Sequence, residues 1–125
     1  MATGRVFKQQ RSDRPPVEFT LSGDTVDEAG EYDGGSWSED FRCLPELPGG
    51  ALDDLARSVM VDDVTGEQRY NRASVVRFVA AALPEAGAKR LHELVRDKRR
   101  IVELDLLGDV MKYINEEFNE RPTTP

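Results

Sequence analysis

The sequence predicts an α+β fold, in which an N-terminal antiparallel strand pair or small sheet is followed by a mainly helical bundle of about four helices. Three observations carry this. Residues 17–21, Val-Glu-Phe-Thr-Leu, alternate apolar and polar side chains, as a strand with one buried face requires. A second alternating run spans Trp37 to Leu44. From Ala51 to Phe118 the apolar residues mostly recur at helical spacing instead.

With 125 residues and 38% hydrophobic content the chain can bury one modest core, so a single domain is expected. Its organisation reads as a flexible basic arm over 1–16, a domain over 17–119 and a flexible tail over 120–125. Within the domain, 17–47 holds the strands and an acidic loop, and 48–119 holds the helices. The arm has four bases against one acid, and after Met1 its only bulky apolar residues are Val6 and Phe7. The first strand starts at Val17. Residues 22–36, "SGDTVDEAGEYDGGS", are crowded with Gly, Asp and Glu and predict a long mobile loop, with room for a short third strand around Thr25–Val26 or Glu31–Tyr32. In the second run Trp37, Phe41 and Cys43 point inward, and Asp40 and Arg42 outward. Glu39 is out of phase, which predicts a bulge there.

"PELPGG" breaks the chain before a helix over Ala51–Met60, whose Leu52, Leu55, Ala56 and Val59 form one apolar face. Residues 61–70 predict a turn or irregular link centred on Gly66. A second helix follows over Arg72–Leu83, capped by Asn71. Pro84 suits the first turn of a third, which buries Ala88, Leu91, Leu94 and Val95 and ends in the cationic "RDKRR". After the extended "IVEL", a fourth helix over about Asp105–Asn119 places Leu107, Val110, Met111, Ile114 and Phe118 on one face.

Little in the chain invites catalysis. His92 and Cys43 are the only histidine and cysteine, about fifty residues apart, and neither stands in a motif. His92 reads as a surface histidine and Cys43 as a small buried hydrophobe. Asp53-Asp54 and Asp62-Asp63 lack the ligand spacing of a calcium loop, and the Gly-Gly pairs lack the lysine of a phosphate loop. A non-enzyme without metal or cofactor is expected. The net charge of −7 is unevenly spread: residues 17–40 carry eight acids and no Lys or Arg, whereas 71–100 carry eight bases and three acids. Such polarity suits protein partners, while the acidic excess disfavours nucleic acid. No stretch approaches the roughly 18 apolar residues of a membrane span, and the basic start lacks the apolar segment of a secretory signal, so an intracellular protein is expected.

The C-terminal third, "DKRRIVELDLLGDVMKYINEEFNERPTTP", resembles the end of the tail assembly chaperones of long-tailed phages of actinobacteria. The resemblance rests on Ile101, Val102, Leu104 and Leu107, then Val110, Met111, Tyr113, Ile114, Glu116, Glu117 and Phe118, then Arg121, Pro122 and Thr123. The upstream order is loosely similar from about Val17, including "LPGG" at Leu47–Gly50. The chain departs from the family in having Tyr113 where tryptophan is frequent, Phe118 where tyrosine is usual, and a longer acidic loop. The resemblance implies a chaperone that binds the tape measure protein, keeps it soluble and recruits tail tube subunits. It further implies action in the host cytoplasm, absence from the finished virion, and a frameshifted long form for which this chain is the short one; the two-sided charge adds the expectation of a homo-oligomer.

On the fourth helix Lys112, Tyr113, Glu116 and Glu117 fall off the apolar stripe and are the candidate partner contacts, with Phe118 and Arg121 of the matched motif completing the set. The rival reading is a structural virion component such as a head-tail connector or tail completion protein. A third is a host regulator that binds nucleic acid through Arg96–Arg100.

Overall fold

The structure, a computed structural model, describes residues 4–8, 11 and 13–120. Its elements are β1 (Glu18–Val26), β2 (Tyr32–Arg42), α1 (Ala51–Ser58), β3 (Val59–Val61), β4 (Gln68–Tyr70), α2 (Arg72–Ala81), α3 (Glu85–Arg96) and α4 (Leu104–Glu120). Two antiparallel strand pairs and four helices among the described residues make it an α+β fold.

β1 and β2 pair without interruption from Glu18 opposite Arg42 to Asp24 opposite Ser36. Leu21, Trp37 and Phe41 are buried on the inner face, and the cross-strand Phe19 and Phe41 rings stack with centroids 5.3 Å apart. The long loop expected over 22–36 is mostly strand, leaving a turn of only five residues, 27–31. Between 22 and 36 Val26 is the one buried residue among polar and glycine positions, so the apolar alternation fades while the backbone pairing continues. The acidic residues build the turn: the Asp27 carboxylate accepts from the amides of Ala29 and Glu31, and Gly30 supplies the left-handed φ of 81°.

The bulge expected at Glu39 is absent, and the register shifts between Asp24 and Val26 instead. Glu39 keeps the inner-face phase of Trp37 and Phe41 because Arg90 and Arg100 hold its carboxylate, at 3.0 and 3.1 Å. Thr25–Val26 and Glu31–Tyr32 supply no separate third strand. The added strand-like partner is the 99–101 segment, whose Arg99 carbonyl accepts from Val26 and whose Ile101 amide donates to Asp24. The Trp37 indole donates to the Ile101 carbonyl at 3.1 Å. Gly23 makes this possible, since a Cβ there would stand 2.8 Å from the indole nitrogen and 2.9 Å from that carbonyl.

α2 is the central helix, contacting α1, α3 and α4, with Val75, Phe78 and Val79 fully buried. The Asn71 side chain caps it by accepting from the Ser74 amide, as the sequence predicts. Pro84 is the cap of α3 rather than a first-turn residue, because its ψ of 161° is extended and helical geometry begins at Glu85. α3 buries Leu91 and Leu94 fully, with Ala88 and Val95 half-buried.

Two expectations fail between 51 and 70. The apolar stripe of α1 is only in part its inward side: Leu55 and Val59 are half-buried against the core, but the fully buried residues are Ala51 and Ser58, while Leu52 is 56% exposed and Ala56 also faces out. At 100° per residue the stripe lies roughly 100° around the axis from the buried side. The 61–70 link is a β-hairpin, with Val59 opposite Tyr70 and Val61 opposite Gln68. Gly66 turns it at φ 72°, and the Asp62 carboxylate accepts from the amides of Val64 and Thr65. Three-residue strands are too short for alternation to reveal them.

Candidate functional site

α4 begins after the 99–101 segment and runs 17 residues, with Leu107, Val110, Met111, Ile114 and Phe118 buried along one stripe. Gly108 lies against the ring of Tyr70; a Cβ there would come within 2.5 Å of it. One turn later the Lys112 ammonium sits 5.6 Å from the same ring centre. Its interaction with the Tyr70 hydroxyl holds the lysine pKa above the usual value. β4 and α4 are thereby joined by a tyrosine gripped between glycine and lysine.

The candidate contact residues fall into different environments. Lys112 and Glu116 are exposed, Glu117 is half-buried, and Tyr113 is 37% exposed. The Tyr113 hydroxyl donates to the Glu18 carbonyl at 3.1 Å. Alternation along β1 turns that carbonyl away from β2, so the tyrosine caps an open sheet edge and braces α4 against it. Phe118 is only 8% exposed, so its ring belongs to the core in this conformation; the helix period that places it beside Ile114 turns it inward. Arg121 lies outside the described residues.

Arg14 of the N-terminal arm donates to the Phe118 carbonyl at 3.1 Å and lies 3.6 Å from Glu46. A cation at this end of α4 complements the helix dipole. Around it Pro15, Pro16, Cys43, Pro84 and Phe118 line a groove of about 400 Å³. Burial pushes the Cys43 thiol up to about 11, which keeps it protonated and unreactive. His92 is exposed on α3, the surface position expected for it.

The sequence analysis missed an arginine staple. Arg100 bonds both Glu39 and Asp97, Arg90 reaches Glu39 and also the Asp40 carbonyl, and the Arg90 guanidinium covers the Phe41 ring at 4.7 Å. Arg99 pairs with Glu28 in the hairpin turn at 3.1 Å. Asp97 is held below the ordinary carboxylate value, first by the Arg99 amide and then by Arg100. The staple therefore neutralises two members of the Lys98–Arg99–Arg100 run against the acidic hairpin, and Lys98 alone of the three enters no ion pair among the described residues. The charge asymmetry between 17–40 and 71–100 was the available signal, read as a surface for partners when part of it is internal.

In its class the molecule is a small α+β domain whose longest helix packs along one side and shows a charged, partly aromatic flank on the other. No family model, curated protein or solved structure matches the chain.

Proposed function

We propose that this chain is a phage tail assembly chaperone, which binds the tape measure protein, keeps it soluble and recruits tail tube subunits, acting in the host cytoplasm without catalysis. The reading rests on the likeness of residues 97–125 to the ends of such chaperones. One observation of geometry supports it most. α4, which carries most of that likeness, is anchored along one stripe while Lys112 and Glu116 stay exposed, with Tyr113 at the boundary. A flank of this kind suits repeated weak contacts with a long helical client, since many modest contacts in series give avidity.

The test is co-expression with the tape measure protein encoded in the same phage. The expected result is a soluble complex that carries both proteins, weakened by Lys112→Glu together with Glu116→Lys, and a chain missing from purified virions. Finding it stoichiometrically in virions would replace this reading with that of a connector or tail completion protein. Salt-sensitive DNA binding lost on neutralising Lys98, Arg99 and Arg100 would replace it with a nucleic-acid regulator.

A further inference from the structure

Of the eight large apolar side chains exposed among the described residues, four lie within the thirteen residues 52–64: Leu52, Met60, Val61 and Val64. Val64 is 93% exposed. They occupy α1, β3 and the turn after it, and β3 follows α1 without a linker, its first residue Val59 half-buried against the core. The edge of β3 is open as well. The Ser58 carbonyl accepts from Asn71 and the Asp62 amide donates to the Glu67 carbonyl, so residues 58, 60 and 62 face β4. The amides and carbonyls of Val59 and Val61 therefore face away, and among the described residues no backbone or side-chain bond from outside the hairpin closes them. A two-stranded hairpin with an open apolar edge is marginal on its own and is a template for further pairing.

We propose that this edge is closed by a second copy of the chain, which pairs its own β3 antiparallel about a two-fold axis through Met60. Val59 of each copy then exchanges backbone hydrogen bonds with Val61 of the other, making a four-stranded sheet with β4 at both ends. Met60 faces Met60 in the close, non-hydrogen-bonded position. The same operation lays the 62–66 turn of each copy along α1 of the other, which sets Val64 against the Leu52–Ala56 stripe and brings Asp63 to the turn carrying Arg57. One symmetry operation thus engages all four exposed apolar side chains. Charge points to an identical partner rather than a partner of one sign, because the rim holds both: Asp53, Asp63 and Glu67 against Arg57, Arg69 and Arg72, all exposed. Arg57 and Asp63 have no ion pair among the described residues. The dimer stands whether or not the client reading above is correct.

Sedimentation equilibrium on the full chain tests it. A three-residue edge and one helix face make a small contact, so the expected dissociation constant is on the order of 10 μM. Val61→Lys and Leu52→Lys change exposed side chains; each is expected to weaken the dimer at least tenfold while the far-UV circular dichroism stays that of the folded chain. The register has its own test. Met60→Cys is expected to give a disulfide-linked dimer under mild oxidation, and Val64→Cys under the same conditions to give far less. A chain monomeric at several hundred micromolar overturns the proposal, as does a dimer indifferent to both lysine variants. Equal cross-linking of the two cysteine variants, or a client helix bound at Leu52 by a monomer, overturns it too.

Discussion

α4 and α1 are both amphipathic, yet only in α4 does the apolar stripe coincide with the buried face. The fourth helix is held on several sides: α2 packs against its stripe, Tyr70 grips Gly108 and Lys112, and Tyr113 reaches β1. The first helix packs against α2 and buries Ala51 and Ser58, while Leu52 and Ala56 face out. Burying Ser58 is tolerable because its hydroxyl donates to the Asp54 carbonyl one turn back. The contrast teaches that a helical period announces a helix and an apolar side, whereas the surrounding elements decide whether that side is covered within the chain or left for something else.

The largest expected effect is therefore on α4. Ile114→Ala empties a fully buried position and should cost about 2–5 kcal/mol of unfolding free energy in urea titrations, as large-to-small core changes do. Leu52→Ala in dilute protein should cost less than about 1 kcal/mol, because more than half of that side chain is already in water. Equal losses at the two sites would erase the comparison. Next comes Gly108→Ala. Alanine favours helices, but its methyl would enter the Tyr70 ring, and overpacking of this kind costs about 1–3 kcal/mol. Adding Tyr70→Ala should make the Gly108→Ala step neutral or favourable; a step that stays costly would place the strain elsewhere.

The two helices also differ in how they are entered. α1 starts at Gly50 without a side-chain cap, whereas α4 follows a segment stapled by Arg100 to Glu39 and Asp97. Arg100→Ala should destabilise the fold by roughly 1 kcal/mol, the upper range for partly exposed pairs, with protection from hydrogen exchange lost first at 99–106. The sign of the pH dependence follows from Asp97. Its folded pKa is depressed, so its contribution is fully present above the ordinary value of 3.8 and is lost as pH falls through the lower folded value. Asp97→Asn should therefore lower stability near neutrality, flatten the curve in that acidic window and converge with the native chain below it; a variant as stable as the native chain near neutrality would contradict the assignment.

Much of the fold was legible because its signals are local. The alternation at Val17–Leu21 and Trp37–Cys43, the Asn71 cap and the stripe of α4 each follow from residues close in sequence. The failures were of a different kind. Glu39 was out of phase only as long as Arg90 and Arg100, some fifty and sixty residues away, were not known to meet it. The strand content of 22–36 was hidden because ladder hydrogen bonds leave no mark on side-chain type. Of the candidate contacts, the charged pair Lys112 and Glu116 was placed by helical spacing alone, while Phe118 was turned inward by that same spacing and Tyr113 acquired a bond that only the tertiary arrangement reveals.

Tyr113 yields the smallest effect and the most discriminating one. Its hydroxyl donates to a carbonyl at an exposed site, where such a bond contributes about 0.5–1 kcal/mol, so Tyr113→Phe should lower stability by no more than that. Tyr113→Ala removes the brace and the ring together. If the residue only struts α4 against β1, both variants should weaken client capture in proportion to their loss of stability. If the ring also meets the client, Tyr113→Phe should capture nearly as well as the native chain while Tyr113→Ala fails at temperatures where it is still folded. A ring that both braces the helix and stays partly in water is the one place on α4 where packing and display meet in a single side chain.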